Sequence, residues 1–474
     1  MDGDFAALQS HKSKVDTIAD AVRAFHNRGE KFRIYHGSTN TTRRTKLDRA
    51  TVVDTSGLKD VLHVDVHRKT VVVEPNVSME QLVDATLRHG LLPPVVMEFP
   101  AITVGGGFAG TSGESSSFRH GLFEKTITAI EIVLADGGIM QASRTEHEEL
   151  LHACGGSFGT FGVITALHID LVEAKQFIEL TYTPITSMET ALDVIETKTD
   201  QSANQYLDGI MFGQQAGVIM SGRLSDAQNG LPVSRFTRAT DPWFYLHAEK
   251  SCNEPLIQST ARGAFWAGKY SFQYFMMPFN AFTRWLLDPL LRTKVMYHAL
   301  HKSHLAEEYL VQDIGFPYKT APKFMDYLHN TFGFYPIWLC PLKVDPDMAL
   351  HPRKMAAFVE DARSPGMMLN IGMWGPGPRR YEDFILANRD IEKMTLLLGG
   401  LKCFYAQAFY TEQEFWDVYD KEWYDKMRLM YDASSLTNVY QKVNVDLKSF
   451  KLQWPVKGVY GALQVFLKSD YLLG

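Results

Sequence analysis

Glycine and hydroxyl residues gather at three places in the first third of this sequence: HGSTNTTR around Gly37, TVGGGFAGTSGESSS across 103–117, and GGSFGTFG across 155–162. Glycine lets a backbone approach a ligand where a Cβ would clash, and exposed amides and hydroxyls can hold phosphate oxygens. One such cluster is most simply a tight turn. Three, joined by strand-like segments and carrying Ser38, Thr39, Thr41, Ser115, Ser116 and Ser117, point to a pyrophosphate gripped from several sides. Three other local matches fail on context. Residues 105–110 fit GxGxxG, but a dinucleotide fold needs a helix to follow, and TSGESSS is poor helix. Residues 155–159 fit GxSxG, yet a helix precedes and a strand follows, the reverse of a hydrolase elbow, so Ser157 is not expected to be a nucleophile. His298, His301 and His304 recur every three residues and could share a helical face for a metal. Beside Lys294 and Lys302, a solvated face is the simpler reading.

The elements around these clusters are mostly strands. Residues 14–29 follow a helical period and stop at Gly29, and KFRIYHG reads as a strand entering the first glycine loop. Alternation in VLHVDVH and VVVEP suits half-buried β-structure. A helix is expected from Val77 to His89, with Ser78 as N-cap, Gln81 completing a capping box and Gly90 ending it. Strand TAIEIVLADGGIM, a helix around Glu146 to Cys154 and strand VITALHIDLV follow. This order predicts an α+β fold rather than a doubly wound parallel sheet. A boundary is expected near Ala174–Phe177, giving a ligand-binding domain over 1–175, a substrate or cap domain over 176–420 and a C-terminal helical segment over 421–474.

Composition narrows the class. The 474 residues allow two or three domains, and a net charge of -6 argues against a nucleic-acid partner. Cys154, Cys252, Cys340 and Cys403 are scattered with no CxxC pair, the usage of a reduced intracellular chain. No signal peptide or apolar run of about 20 residues is visible.

HGSTNTTR, TVGGGFAGTSGESSSFRHGLF, IEIVLADG and GGSFGTFGVI resemble, in order and spacing, the FAD-binding domain of the vanillyl-alcohol oxidase superfamily. That resemblance implies a two-subdomain FAD-binding domain followed by an α+β cap. It also implies FAD contacts from Gly37, Ser38, Thr39, Asn40, Thr103, Gly105, Gly106, Thr111, Gly113, Ser116, Gly121, Gly159, Gly162 and Ile164. Many members attach FAD through a histidine after the first-loop glycine; here Ser38 and Thr39 follow Gly37 and His36 precedes it, so FAD is expected to be non-covalent. VEPNVSMEQLVDATLRHGLLPPV, YLVQD, YPIWLCPL and FYAQAFYTEQEFWDVYD further resemble the 24-dehydrocholesterol reductase (Diminuto) family. This implies reduction of a sterol side-chain double bond, with NADPH supplying electrons through FAD.

An alkene that no carbonyl polarises needs a proton as well as a hydride, so the protein must supply an acid and an apolar slot. The acid candidates are Asp313, Tyr335 and Glu114; each has a structural alternative, namely capping, packing and orienting the flavin loop. Lys402 and Tyr405 are weaker neighbours of the ring, and the aromatic stretch 263–291 could line the slot or serve as ordinary core. An alcohol or carbohydrate oxidase using oxygen, on the same flavin domain, is the competing activity; a protein that binds FAD without catalysis is a third. A cytoplasmic protein is expected, with LQWPVKGVYGALQVFL as the segment that would touch a membrane such as the endoplasmic reticulum peripherally.

Overall fold

The computed structural model describes residues 2–37, 39, 41–43, 47–227, 230–234, 241, 243–250, 256–258, 278, 280–287, 295, 297, 300–301, 305–345, 350 and 366–445. The fold is α+β, built around two large sheets. The first is an antiparallel five-stranded sheet in the order Val61–Asp65, Thr70–Val73, Val163–Asp170, Ile127–Val133, Ile139–Ser143. Its strands alternate as half-buried β-structure should: Val71 and Val73 are buried while Thr70 and Val72 are not. The helix Met79–Leu87 carries the capping box written in its sequence, with Ser78 Oγ accepting from the Gln81 amide at 3.2 Å and Gln81 Oε1 accepting from the Ser78 amide at 3.0 Å.

The long first helix, Asp2–Arg28, buries Val15, Ile18, Ala19, Val22 and Phe25 on one face, at the three- and four-residue spacing of a helix stripe. That face packs on Phe32, Val53 and Val133. Polar pinning reinforces it, because His11 bridges Glu74 (2.8 Å) and Glu131 (3.0 Å) of the sheet.

The second sheet has nine strands, in the order Val233–Ser234, Leu256–Gln258, Phe177–Ile185, Ala216–Ser225, Tyr206–Gly213, Ile337–Lys343, Met367–Pro376, Tyr309–Pro317, Leu401–Lys402. Helices Met188–Thr199, Ala321–Thr331 and Tyr381–Leu397 cover one face through Leu192, Ile195, Phe324, Leu328, Phe384 and Ile391. Along Met367–Pro376 the period of two is strict: Leu369, Ile371 and Met373 join that helical layer, whereas Asn370, Gly372 and Trp374 turn to the other side, where the cavity lies.

After the last strand the chain returns to the first sheet. Phe404, Tyr410, Phe415, Tyr419, Tyr424, Val439 and Val443 belong to the same core as Val71, Phe108, Ile130, Phe161 and Leu167. Tyr424 locks the return: its hydroxyl donates to Thr160 Oγ1 at 2.9 Å and accepts from the Val439 amide at 2.9 Å. Among the described residues no helix is long and apolar enough to cross a membrane. The tail LQWPVKGVYGALQVFL and most of the aromatic stretch 263–291 lie outside the described residues. In the described part of that stretch, Phe282, Trp285 and Leu286 are exposed.

Candidate FAD and substrate site

A cavity of about 370 Å³ lies between the glycine loops of the first sheet and the uncovered face of the second. It gathers Thr39, Thr103, Gly105, Gly106, Thr111, Gly113, Gly159, Gly162 and Ile164 of the expected cofactor residues, and Asp313 and Glu114 of the expected acids. Gly37, Ser116, Gly121 and Tyr335 are not in its wall. Ser116 is buried and Gly121 ends the short helix Ser117–His120 at φ 77°, so both shape the loop from behind. Ser38 and Asn40 lie outside the described residues. Tyr335 turns its hydroxyl to His329 Nδ1 at 3.2 Å and packs against the helical layer of the second sheet.

The glycine loops are shaped for a ligand. Thr103 caps a single short helix, Val104–Ala109, by accepting from the Gly106 amide at 3.1 Å; a loop then follows, as the poor helix formers require. Gly156 and Gly159 adopt φ 75° and 69°, and between them Phe158 sits at φ 55°, while Thr111 sits at φ 51°. Left-handed backbone at non-glycine residues is strained and persists where surroundings enforce it, commonly at ligand sites. Ser157 is buried and its hydroxyl is spent on the Cys154 carbonyl at 2.9 Å, which removes it as a nucleophile. His301 is likewise structural: its ring Nε2 donates to the Thr41 carbonyl at 2.8 Å, and no metal-binding group occurs among the described residues.

Charge divides the cavity. At one end stand Arg33, Arg43 and Lys442; at the other stand Glu98, Glu114 and Asp313, with Asp208 outside the lining but acting on Glu98 and Glu114. Asp313 lies mid-strand, directly opposite Gly372, which in turn faces Trp338 on the next strand. Its Oδ1 accepts from Asn370 Nδ2 at 2.7 Å, and its Oδ2 meets the Tyr405 hydroxyl. Gly372 is required here, since a Cβ would stand 2.6 Å from Asp313 Oδ1. Although Asp313 shows part of its surface to the cavity, protein surrounds the rest. Loss of water raises its pKa above the usual carboxylate range, against the pull of Tyr405, Asn370 and Trp374. Burial pushes Glu114 to about 8, despite the hydrogen bond its Oε1 accepts from the Glu98 amide at 2.8 Å. Asp208, pushed by burial to about 7, accepts from Trp338 Nε1 at 3.4 Å. Burial thus shifts each of these carboxyls towards its protonated form. Phe99, Trp338, Trp374, Leu342 and Leu350 give this end of the cavity an apolar wall.

Lys402 also lines the cavity, but its amine is committed to Glu392 Oε1 at 2.5 Å in a buried pair. None of Arg33, Arg43, Trp338, Asn370, Trp374 and Lys442 was singled out from the sequence, although Arg33, Arg43 and Trp338 lie within KFRIYHG, HGSTNTTR and YPIWLCPL. Asn370 and Trp374 carried a signal: polar, small and aromatic residues at every second position of an otherwise apolar strand, MLNIGMW.

Residues 12–143 match the family described as FAD binding domain. The chain is 27% identical to the Delta(24)-sterol reductase of Rattus norvegicus, across 92% of this chain and 87% of the rat protein. It is 28% identical to the Delta(24)-sterol reductase of Arabidopsis thaliana, across 84% of this chain and 77% of that protein. The chain is an FAD-dependent oxidoreductase, similar over most of its length to the Delta(24)-sterol reductases. A partial likeness, 28% identity over 35% of the chain, links it to cytokinin dehydrogenase 9 of Oryza sativa subsp. japonica, 33% of which is covered. The residues present fit FAD: strained glycine loops, hydroxyls and three cations face one space, with a wall of aromatic side chains and buried carboxyls opposite.

Proposed function

We propose that the chain reduces a carbon–carbon double bond in the side chain of a sterol, with non-covalent FAD as cofactor and NADPH as electron donor. The observation that carries this reading is Asp313, a carboxyl whose pKa burial raises, set beside aromatic side chains of the cavity wall and held by Asn370 and Tyr405. An unpolarised trisubstituted alkene accepts a proton at its less substituted carbon, leaving positive charge on the tertiary carbon. Bound FAD, reduced by NADPH, supplies the hydride that completes the second C–H bond.

This chain's residues do the rest. The Asp313–Tyr405 pair delivers the proton, with Asn370 fixing the Oδ1 side so that Oδ2 and the Tyr405 hydroxyl share the mobile one. Phe99, Trp338 and Trp374 exclude water from a developing cation and present aromatic faces that favour it. Glu114 ties residue 98 to the loop at 114–117 and so orients the wall rather than donating. The experiment is anaerobic mixing with NADPH while the oxidised flavin band is watched. Bleaching, then recovery on adding a Δ24-sterol, is the expected result. No bleaching by NADPH, with bleaching by an alcohol or sugar, would replace this reading with that of an oxidase.

A further inference from the structure

Three cations at the glycine end of the cavity have no anion of their own among the described residues. Arg33 comes from the strand Arg33–Tyr35, Arg43 from the loop after it, and Lys442 from the helix Val439–Val443, four hundred residues later in the chain. All three line the cavity. Arg43 is buried, its Nη1 donating to the Ala406 carbonyl at 3.2 Å and its guanidinium lying 5.2 Å from the centre of the Phe158 ring. Lys442 Nζ lies 3.6 Å from the point where a Cβ on Gly159 would stand, so it overhangs the third glycine loop at a position with φ 69°.

Their mutual field is repulsive. Burial and Arg33 together pull Arg43 down to about 9, and burial with Arg33 and Arg43 pulls Lys442 down to about 7. Among the described residues no carboxylate acts on any of the three. The carboxylates in the wall, Glu98, Glu114 and Asp313, couple to one another at the far end instead. Holding three cations together beside one loop costs the fold free energy, which a ligand carrying negative charge returns on binding. The adjoining loop offers left-handed glycines and the hydroxyls of Thr39 and Thr111, the surroundings of a phosphate group.

We infer that Arg33, Arg43 and Lys442 form one anion-binding site that takes the pyrophosphate of FAD, and that Lys442 closes it from the C-terminal part of the chain. The inference needs only that FAD binds and is independent of the substrate. Lys442 then acts as a latch: cofactor retention depends on a residue outside the FAD-binding family match at 12–143.

The test is retention of flavin by purified Lys442→Gln holoprotein, read from the fluorescence regained as FAD dissociates on dilution. Removing one charged partner of a phosphate raises the FAD dissociation constant roughly 10- to 100-fold. Riboflavin, which lacks the pyrophosphate, should bind parent and variant alike, and Lys442→Arg should restore most of the FAD affinity. In the parent, FAD binding should weaken as pH rises above about 7, where free Lys442, facing Arg33, Arg43 and His36, loses its proton; Lys442→Arg should flatten that dependence. Arg33→Gln gives an independent variant should Lys442→Gln fold poorly. Unchanged FAD retention in well-folded Lys442→Gln and Arg33→Gln overturns the inference. So does a loss confined to NADPH affinity, which would assign the cations to the phosphates of the nicotinamide dinucleotide.

Discussion

Replacing Gly372 by alanine probes the acid without altering its chemistry. The new Cβ would stand 2.6 Å from Asp313 Oδ1 and 3.2 Å from Trp338 Cβ and Cε3. Ordinary contact begins at 3.4 Å, so Oδ1 must retreat by about 0.8 Å, because the Trp338 side blocks the opposite adjustment. That retreat breaks the 2.7 Å bond from Asn370 and turns Oδ2 away from Tyr405. Overpacking a strand centre costs about 1–3 kcal/mol of stability, which a thermal melt would register as a few degrees. The catalytic cost is larger in proportion, since a misplacement near 1 Å can cost about 100-fold in rate. The assay is single-turnover oxidation of pre-reduced flavin by a Δ24-sterol, with the rate of reduction by NADPH as internal control. The expected result is a roughly 100-fold slower sterol step and an unchanged reduction step. A Gly372→Ala protein that holds FAD and reduces sterol at the parental rate would refute the placement of Asp313 as proton donor.

Asp313→Asn should slow the sterol step by about 100- to 10,000-fold and leave flavin binding intact, measured by the same single-turnover assay. Because the donor must be protonated, that step should slow as pH rises through the raised pKa of Asp313. His11 gives a stability signature. Burial lowers its pKa, but hydrogen bonds to Glu131 and Glu74 outweigh that and carry it from 6.5 to about 9, worth roughly 3 kcal/mol. A group raised on folding contributes fully below pH 6.5 and loses its contribution as pH climbs through 9, so the gap in melting temperature between parent and His11→Ala should close over that window. Lys402→Met, which leaves the buried Glu392 without its cation, should cost about 3–5 kcal/mol by denaturant melt, whereas Lys402→Met with Glu392→Leu should recover most of it.

The sequence disclosed the flavin half more fully than the acid half, for a physical reason. Glycine loops and caps are local: Ser78, Gln81 and Gly90 bound a helix within a dozen residues, and Thr103 with 105–113 makes its loop within one turn of chain. The acid site is assembled across strands. Asp313 meets Asn370, Gly372 and Tyr405 through register alone, and nothing near YLVQD says which residues will lie opposite. Tyr335 illustrates the hazard, since its motif resembles a family segment while its hydroxyl turns to His329. Lys442 carried no local signal at all. A lysine in VYQKV becomes a cofactor-facing group only because Phe415, Tyr419 and Tyr424 draw that stretch back onto the first sheet.

That return has a consequence for how the protein is made. On the ribosome, the five-stranded sheet emerges long before Tyr424 and Val439 exist to cover Phe161 and Thr160. Until then the sheet shows water an apolar surface that its own residues cannot cover, and Lys442 is not yet present. Vitamin-derived cofactor should therefore be acquired after translation is complete rather than during it. A nascent chain stalled before residue 400 would be expected to call on chaperones, and to remain colourless.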